Sequence, residues 1–465
     1  MTTPLQRLSY LLLAAFTLVA LALGYWVVGR GSSLLARDDN PRRVLAEQRI
    51  RRGQIVDRNG TVLAESLVDP ESGFVERCYP YPAAAPVVGY YSLRYGVSGV
   101  EAEYDNFLRG EAQLGPWEEA KRQLLHQAPI GGDIRLTLDL DTQQAAAEAL
   151  AGRRGAIVVV TAPAGEVLAA ASAPSFDPNQ LDEAWEVLIH DASAPLINRA
   201  TQGAYQPGTI LQSVVLGTAL NTGTSQLDDV WASPLTVAVE GMILPCAETR
   251  HDVETLADAY ILACPAPFQA VAERIGAHQL ENALSDFGLL APPSLFNANE
   301  EIILEGLLSL SDPASVGIGQ SNLTVNPLQM ALVGSAFSNH GQIPPAHLVT
   351  ATRTPGGQWE PVPAAGNPRG TISRASADAI ASLMRDAVER GAAHEAGRSV
   401  GQAYGHAGLA VAGAEERYNA WFIGFAYRAA GDAVAIAVLL EDTQTAGTAA
   451  RIGGEVLQAA LASQP

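Results

Sequence analysis

The N-terminal region contains a long apolar segment. Residues 8–28 form 21 nearly continuous apolar positions between Arg7 and Arg30, and a membrane-spanning helix needs about 20 such residues. The competing interpretation is a secretory signal peptide, whose apolar stretch is roughly 7–15 residues long and ends in small residues. This segment ends near the aromatic pair Tyr25 and Trp26, which is typical of a membrane interface. The pattern therefore predicts an uncleaved single-pass anchor.

Shorter apolar runs that alternate with turn signals follow the anchor. Asn59 and Gly60 separate two β-favouring runs and form a strong hairpin signal, because both residues tolerate positive φ. Residues 155–172 have the pattern of a second hairpin. The other predicted elements are a helix at 141–150, strands at 420–426 and 433–441, a closing helix at 448–462 and a Pro/Gly-rich loop at 352–370. This mixture of strands and helices predicts an α/β fold.

The composition indicates a globular protein with a well-filled core and an acidic surface. Hydrophobic residues make up 48% and charged residues 17% of the 465 positions, and the formal net charge is −20. An acidic chain lacks the electrostatic attraction that nucleic acid requires, so we expect no nucleic-acid partner. At about 150 residues per folded unit, the length indicates two or three units, and we place the boundaries at 1–30, 31–132 and 133–465.

Several motifs, in order along the chain, are similar to those of one enzyme family. The matching segments are Arg52-Gly53-Gln54-Ile55-Val56-Asp57-Arg58-Asn59-Gly60, residues 95–101, residues 198–200, residues 205–212, residues 317–320 and residues 326–331. Over residues 49–460 the chain resembles the class B penicillin-binding proteins, which are peptidoglycan D,D-transpeptidases. This resemblance implies an N-terminal pedestal, or dimerisation-like, domain at 31–132 and a penicillin-binding/β-lactamase-like transpeptidase domain at 133–465.

The resemblance also implies the fold and the cellular location. The expected transpeptidase domain has a five-stranded, mostly antiparallel sheet between helical layers. One transmembrane helix would leave a short cytoplasmic tip within residues 1–30, with the main domains on the outer side of the bacterial cytoplasmic membrane. Flanking charge does not decide this orientation, which rests on the resemblance.

The first catalytic motif of the family is degenerate here. The family has Tyr-x-Pro-Gly-Ser-x-x-Lys where residues 205–212 place Thr209 and Gln212, and the motif S-x-x-K supplies the nucleophile and its neighbouring lysine. Position 212 lies on the same helix face as position 209, but a neutral amide cannot take the hydroxyl proton. The alternative interpretation of Thr209 is a plain helix N-cap.

The second and third motifs are degenerate as well. Where the family has Ser-Cys-Asn, the chain has Ala263 and Pro265 around a cysteine, without the hydroxyl and the amide. Where the family has Gly-Lys-Thr-Gly, the chain has His406, Ala407 and Gly408. A surface histidine without a role is the alternative interpretation of His406, whereas Gly408 is what a strand beside a pocket needs.

Arginine-for-lysine drift does not explain these losses. Lys121 is the only lysine among 29 basic residues. Drift would leave arginine at the lost lysine positions, which instead hold Gln212 and His406.

Active relatives often carry a cysteine, a histidine and a second cysteine at the spacing of Cys246, His251 and Cys264. Three states remain open for this set: a Cys246–Cys264 disulfide, which an exported domain permits, free buried thiols, or metal binding without a clear fourth ligand. We predict that the two cysteines lie close enough to bridge, at a Cα separation of roughly 4.4–6.8 Å. No metal or cofactor site is expected.

The sequence therefore predicts a membrane-anchored pseudo-transpeptidase that serves cell-wall synthesis as a scaffold or regulator. The expected partners are cell-wall synthesis proteins such as a polytopic glycan polymerase, the membrane through residues 8–28, and peptidoglycan peptides. A second hypothesis is an active or weakly active transpeptidase that uses Thr209, with His406 as the only obvious base. A third is a non-covalent sensor of muropeptides or β-lactams.

Overall fold

The computed structural model describes residues 3–26, 45, 47–111, 129–231, 234–291, 293, 295, 312–364, 366–413 and 417–463. Lys121 and residues 27–28 of the predicted anchor lie outside the described residues. Helix α1 (Thr3–Gly24) contains the one segment of the described chain, Gln6–Gly24, that is long and apolar enough to cross a membrane.

The strands, numbered in chain order, form two main sheets and three small pairs. They are β1 (Ile55–Val56), β2 (Val62–Val68), β3 (Val75–Cys78), β4 (Tyr91–Ser92), β5 (Gly96–Val97), β6 (Asp133–Leu136), β7 (Gly155–Thr161), β8 (Val167–Ala173), β9 (Val237–Val239), β10 (Met242–Leu244), β11 (Gln342–Ile343), β12 (Val349–Arg353), β13 (Trp359–Pro361), β14 (Arg369–Gly370), β15 (Ala403–Val411), β16 (Tyr418–Tyr427) and β17 (Ala433–Leu440).

The helices after α1 are mostly short. They are α2 (Ala85–Val88), α3 (Gly99–Glu103), α4 (Asp105–Leu108), α5 (Leu140–Ala149), α6 (Leu181–His190), α7 (Gln212–Thr222), α8 (Leu256–Ile261), α9 (Ala266–Ile275), α10 (Ala277–Asp286), α11 (Pro313–Gly317), α12 (Pro327–Ser338), α13 (Arg374–Arg390) and α14 (Ala446–Ala462). Further 3₁₀ turns lie at Pro82–Ala84, Pro178–Gln180, Gly208–Leu211 and His394–Arg398.

The first main sheet is five-stranded, with the order β15-β16-β17-β7-β8, and all its strand pairs are antiparallel. Two of its central strands, β17 and β7, are buried over their whole length and apolar except for Thr161 at the end of β7, since helices cover both faces. Helix α14 packs on β16 and β17, α5 packs on β8 and on α14, and α12 packs on β17 and β7. The expected five-stranded antiparallel sheet between helical layers is confirmed, as are the hairpin at 155–172 and the strands near 420–441.

The second main sheet is six-stranded, with the order β13-β12-β6-β1-β2-β3. The predicted hairpin at Asn59 and Gly60 joins β1 to β2, and the Asp57 carboxylate accepts the backbone N–H groups of Asn59 and Thr61. Strand β6 pairs with β1 in parallel on one side and with β12 in antiparallel on the other. The two strands β6 and β12 are far apart in sequence, since Asp133 and Arg353, whose side chains form an ion pair between them, are separated by 220 residues. The sheet thus contains strands from both sides of the predicted boundary at 132/133.

A buried ion cluster holds this sheet against α3. The Glu101 carboxylate is fully buried and bonds to Arg52 and Arg77, at 2.7 Å from each guanidinium. Burial alone would raise the pKa of Glu101, but the two positive charges outweigh it and hold that pKa below its ordinary value. The cluster is fully hydrogen-bonded on the carboxylate side, as a buried charge must be.

Candidate functional site

Thr209 lies in the 3₁₀ turn Gly208–Leu211, against β15, and its side chain is completely buried. Its hydroxyl accepts a hydrogen bond from the Leu409 N–H at 3.0 Å and faces the Leu409 carbonyl at 3.5 Å. No side-chain cap bond forms at this turn. The N-cap interpretation is therefore wrong: the hydroxyl bonds to a distant strand and not to its own helix.

Two glycines permit this close approach. Gly208 has φ +60°, and a Cβ there would lie 2.2 Å from the Leu409 carbonyl oxygen. A Cβ on Gly408 would lie 2.3 Å from the Thr209 Oγ1 atom. Glycine is the residue that allows both the left-handed conformation and this backbone contact, so the turn and β15 are fixed relative to each other.

Gln212 opens helix α7 and is completely buried. Its amide nitrogen donates to the Cys264 carbonyl at 3.0 Å, and its amide oxygen has no partner among the described residues. The amide nitrogen is thus directed to the cysteine segment and not to the Thr209 hydroxyl. Position 212 therefore holds a neutral donor that binds a carbonyl.

The second motif lies directly beyond Gln212, after α8. Ala263 is buried with φ +52°, and Pro265 precedes α9 as its N-cap residue. Neither side chain supplies a hydrogen-bonding group, whereas the scaffold around them is well formed. A capping box at Thr255 and Asp258 starts α8.

Cys246 and Cys264 form a disulfide with a Cα separation of 4.0 Å. The prediction that they lie close enough to bridge is confirmed, with a separation slightly below the range expected. The two alternatives, free thiols and metal binding with His251, are wrong because both sulfur atoms are used in the bridge. Within the described ranges, no group of three His, Cys, Asp or Glu residues is arranged to hold a metal ion.

His406 lies on β15 and is completely buried, so the surface-histidine interpretation is wrong. Its ring stacks on Tyr260 at 4.2 Å between centroids, and Nε2 lies 3.3 Å from the Thr209 carbonyl oxygen. This contact assigns the proton to Nε2, and Nδ1 has no partner in the described chain. Burial lowers the pKa of His406 to about 4, so the ring is neutral at neutral pH.

The next residue of β15, Ala407, is buried, and its methyl side chain offers no hydroxyl beside Gly408. The structure thus brings all three degenerate motifs together around Thr209. The positions that the resemblance aligns with the family motifs hold a neutral amide, a neutral imidazole and two methyl groups.

Tyr260 and Ser213 belong to the site but were not predicted from the sequence. The Tyr260 hydroxyl bonds to the Ser213 hydroxyl at 2.8 Å, and burial raises the pKa of Tyr260, so the phenol stays protonated. This pair fills space beside Gln212 and His406. The one available signal was an aromatic residue within the apolar helix before Ala263, which is equally typical of a core position.

A second cluster that was not predicted from the sequence holds Tyr205, at the start of the segment that leads to the Thr209 turn. The Glu441 carboxylate accepts from Arg199 and from the Tyr205 hydroxyl, both at 2.8 Å, and pairs with Arg154 at 2.7 Å. Tyr205 also lies edge-on to Trp421, at 6.3 Å between ring centroids. These contacts fix the start of the segment that ends at Gln212.

Comparisons with known proteins agree with this architecture. The family model described as the penicillin binding protein transpeptidase domain matches residues 155–461, and the penicillin binding protein A dimerisation domain matches residues 52–134. The peptidoglycan D,D-transpeptidase PbpA of Mycobacterium tuberculosis is 29% identical over 500 residues, which cover 100% of both proteins. The peptidoglycan D,D-transpeptidase MrdA of Acinetobacter baumannii is 27% identical over 407 residues, or 78% of this chain and 59% of that protein.

Solved structures agree as well. Penicillin-binding protein A from M. tuberculosis, solved as a ceftriaxone acyl-enzyme complex, is 27% identical with a TM-score of 0.78, covering 90% of this chain and 100% of that one. A D,D-transpeptidase domain from Eggerthella lenta is 28% identical with a TM-score of 0.75, covering 89% and 99%. The transpeptidase match alone spans more than half of the sequence, and this chain belongs to the penicillin-binding protein transpeptidase family.

Proposed function

We propose that this penicillin-binding protein homologue is a pseudo-transpeptidase that serves cell-wall synthesis by binding rather than by acyl transfer. The observation that carries the proposal is the state of the Thr209 hydroxyl. It is completely buried and accepts the Leu409 N–H at 3.0 Å. Within the described residues, its hydrogen-bond partners are the backbone groups of Leu409.

The loss of a base removes the chemistry that the family performs. Acylation needs a group that takes the hydroxyl proton as the carbonyl is attacked, a contribution of roughly 10²–10⁴ in rate. Gln212 donates to a carbonyl, and its amide has no basic lone pair at neutral pH. Moreover, the members of a catalytic unit fail together rather than additively.

The second candidate, a live enzyme with His406 as base, has less support. The Nε2 atom faces the Thr209 carbonyl and not its hydroxyl, and the ring is held against Tyr260. A productive base must lie within hydrogen-bond reach of the proton it removes.

The test is covalent labelling by fluorescent penicillin, followed by intact-protein mass spectrometry. Penicillin-binding protein A from M. tuberculosis, which forms acyl-enzyme complexes, is the positive control. We expect no label on the wild type or on Thr209→Ala, and little on the Thr209→Ser/Gln212→Lys double variant, since Ala263 and Ala407 still lack hydroxyls. A mass adduct on wild-type Thr209 would overturn the proposal.

A sensor would give a different result in the same preparation. A muropeptide or β-lactam that raises the melting temperature without adding mass would show non-covalent recognition, and would replace the scaffold role with a sensing role.

The proposed setting is the bacterial cytoplasmic membrane, with α1 as a single-pass anchor and the two sheets on the outer side. The support is the exposed apolar helix Gln6–Gly24 and the similarity over its whole length to a peptidoglycan D,D-transpeptidase. The proposed partners are cell-wall synthesis proteins, including a polytopic glycan polymerase. Cross-linking in membranes should capture such a protein with the full chain but not with a variant whose residues 8–28 are replaced by an unrelated apolar helix. Equal capture by both would contradict partnering through the anchor.

A further inference from the structure

Strands β9 and β10 form a short hairpin with one apolar face directed towards the protein. Directly opposite residues of two antiparallel strands share a face, and successive residues along a strand alternate between faces. Ile243 and its partner Ala238 are exposed, whereas Leu244 is fully buried. The residues on the inner face pack against the hydrophobic core, and they are Val237, Val239, Met242 and Leu244. The hairpin therefore covers the surface beneath it.

Both ends of this hairpin are attached to the segment 262–266, which contains the second motif. Before β9, the Leu235 carbonyl accepts the Ala266 N–H at 3.2 Å. After β10, Cys246 is bridged to Cys264. A covalent bond thus holds this side of the hairpin in place.

The far side of the hairpin is held by one hydrogen bond. The Tyr418 hydroxyl donates to the Ile243 carbonyl at 2.8 Å, in an exposed position. Tyr418 begins β16 and pairs with Val411 at the end of β15, and β10 lies against β15. Within the described ranges, no other hydrogen bond joins the hairpin to these two strands.

The Thr209 turn contacts both supports of the hairpin. On one side, the Gln212 amide nitrogen donates to the Cys264 carbonyl at 3.0 Å. On the other side, the Thr209 hydroxyl accepts the N–H of Leu409, which lies two residues before Val411. The hairpin therefore spans the two walls between which Thr209 and Gln212 are completely buried.

We propose that this hairpin is a strap that opens and closes over the Thr209 site, with the disulfide as its fixed root and the Tyr418 hydrogen bond as its latch. A hydrogen bond exchanged with water contributes little net stability, and weakly held segments open without unfolding of the whole domain. Because the root is covalent, opening moves the far side away from β15 while the disulfide end stays attached. Access to Thr209 then depends on release of the latch, whatever chemistry the site retains.

The first test is hydrogen exchange of the full chain in detergent, measured in a peptide that covers residues 237–244. A two-stranded hairpin is only marginally stable on its own, so its amides exchange when the strap leaves β15. Tyr418→Phe removes the latch hydroxyl and should speed this exchange about two- to tenfold, which is the effect of one lost hydrogen bond. Exchange in the buried strands β7 and β17 should stay unchanged.

The matched control is Tyr427→Phe. It removes a hydroxyl of the same kind from the opposite end of β16, away from the hairpin. Exchange of residues 237–244 should be the same in this variant as in the wild type.

A second test measures access to Thr209 itself. In a chain that carries Cys78→Ser and Thr209→Cys, position 209 has the one free thiol, since Cys246 and Cys264 are bridged. We expect slow alkylation of this thiol by iodoacetamide, and alkylation about two- to tenfold faster when Tyr418→Phe is added.

Three results would each overturn the proposal: unchanged exchange of residues 237–244 in Tyr418→Phe, unchanged alkylation at position 209, or an equal effect of Tyr427→Phe. Neither measurement involves acyl transfer, so both are independent of the result of penicillin labelling.

Discussion

Because His406 is buried, we expect the free energy of unfolding to fall at acidic pH. We expect the substitution His406→Gln to remove this contribution. Its ring is neutral in the folded protein because burial lowers its pKa to about 4, whereas an unfolded chain exposes a histidine with a pKa of about 6.5. Between these values the unfolded state binds more protons than the folded state. The folded state therefore loses stability as pH falls through this window, and the loss is complete below about pH 4.

The magnitude follows from the two pKa values. One pKa unit corresponds to about 1.4 kcal/mol, so the full effect is about 3 kcal/mol. At about pH 5, where carboxylates are still mostly ionised, roughly 2 kcal/mol of it is already lost. This is a large fraction of the stability of a typical domain, about 5–15 kcal/mol.

The assay is urea unfolding of the wild type and of His406→Gln at about pH 7 and pH 5. We expect the variant to be less stable at both pH values, since it loses the stacking on Tyr260. The difference in free energy of unfolding between wild type and variant should shrink by about 2 kcal/mol from about pH 7 to about pH 5, because only the wild type loses stability through His406. His278→Gln, at an exposed position of α10, is the matched control and should keep the wild-type pH dependence. Parallel pH dependence of wild type and His406→Gln would refute the reasoning.

Two further predictions concern the same site. Replacing Cys246 and Cys264 with serine should lower the free energy of unfolding by about 3 kcal/mol, because the bridge closes a loop of sequence separation 18; an unchanged urea midpoint would contradict this. Gly408→Ala should cost about 2 kcal/mol or more, because its Cβ would lie 2.3 Å from the Thr209 hydroxyl oxygen. Gly401→Ala is the control, with no atom within 4 Å, and equal melting temperatures for the two variants would count against the clash.

Local signals in the sequence predicted local structure well. The Asn59-Gly60 hairpin and the antiparallel strands β7, β8, β16 and β17 follow from turn residues and apolar runs that act over a few positions. The predicted loop at 352–370 is partly wrong, because β13 (Trp359–Pro361) lies inside it. That strand forms because it pairs with β12 and not because of its own composition. Local sequence patterns do not reveal such a pairing.

The site was predicted in its composition but not in its contacts. The family resemblance implied that Thr209 and His406 belong to one site. The structure confirms that they lie close together, with 3.3 Å between the His406 Nε2 atom and the Thr209 carbonyl oxygen. The burial of His406 and the Thr209–Leu409 hydrogen bond did not follow from the sequence. Both depend on how the 3₁₀ turn at Gly208 docks against β15, some 200 residues away, and side-chain burial is set by such packing rather than by residue type.

The shared six-stranded sheet has a consequence for folding. Strand β6 needs β12 on its outer side, so the sheet cannot be completed until residues up to 353 have been synthesised. Contacts of such sequence separation form slowly because loop closure precedes their stabilisation. A fragment that ends just after β6, near residue 137, would present β6 as an unprotected edge, the kind of surface on which strands of separate molecules pair and aggregate. The pedestal should therefore be recovered as a soluble monomer only when the chain extends through β12.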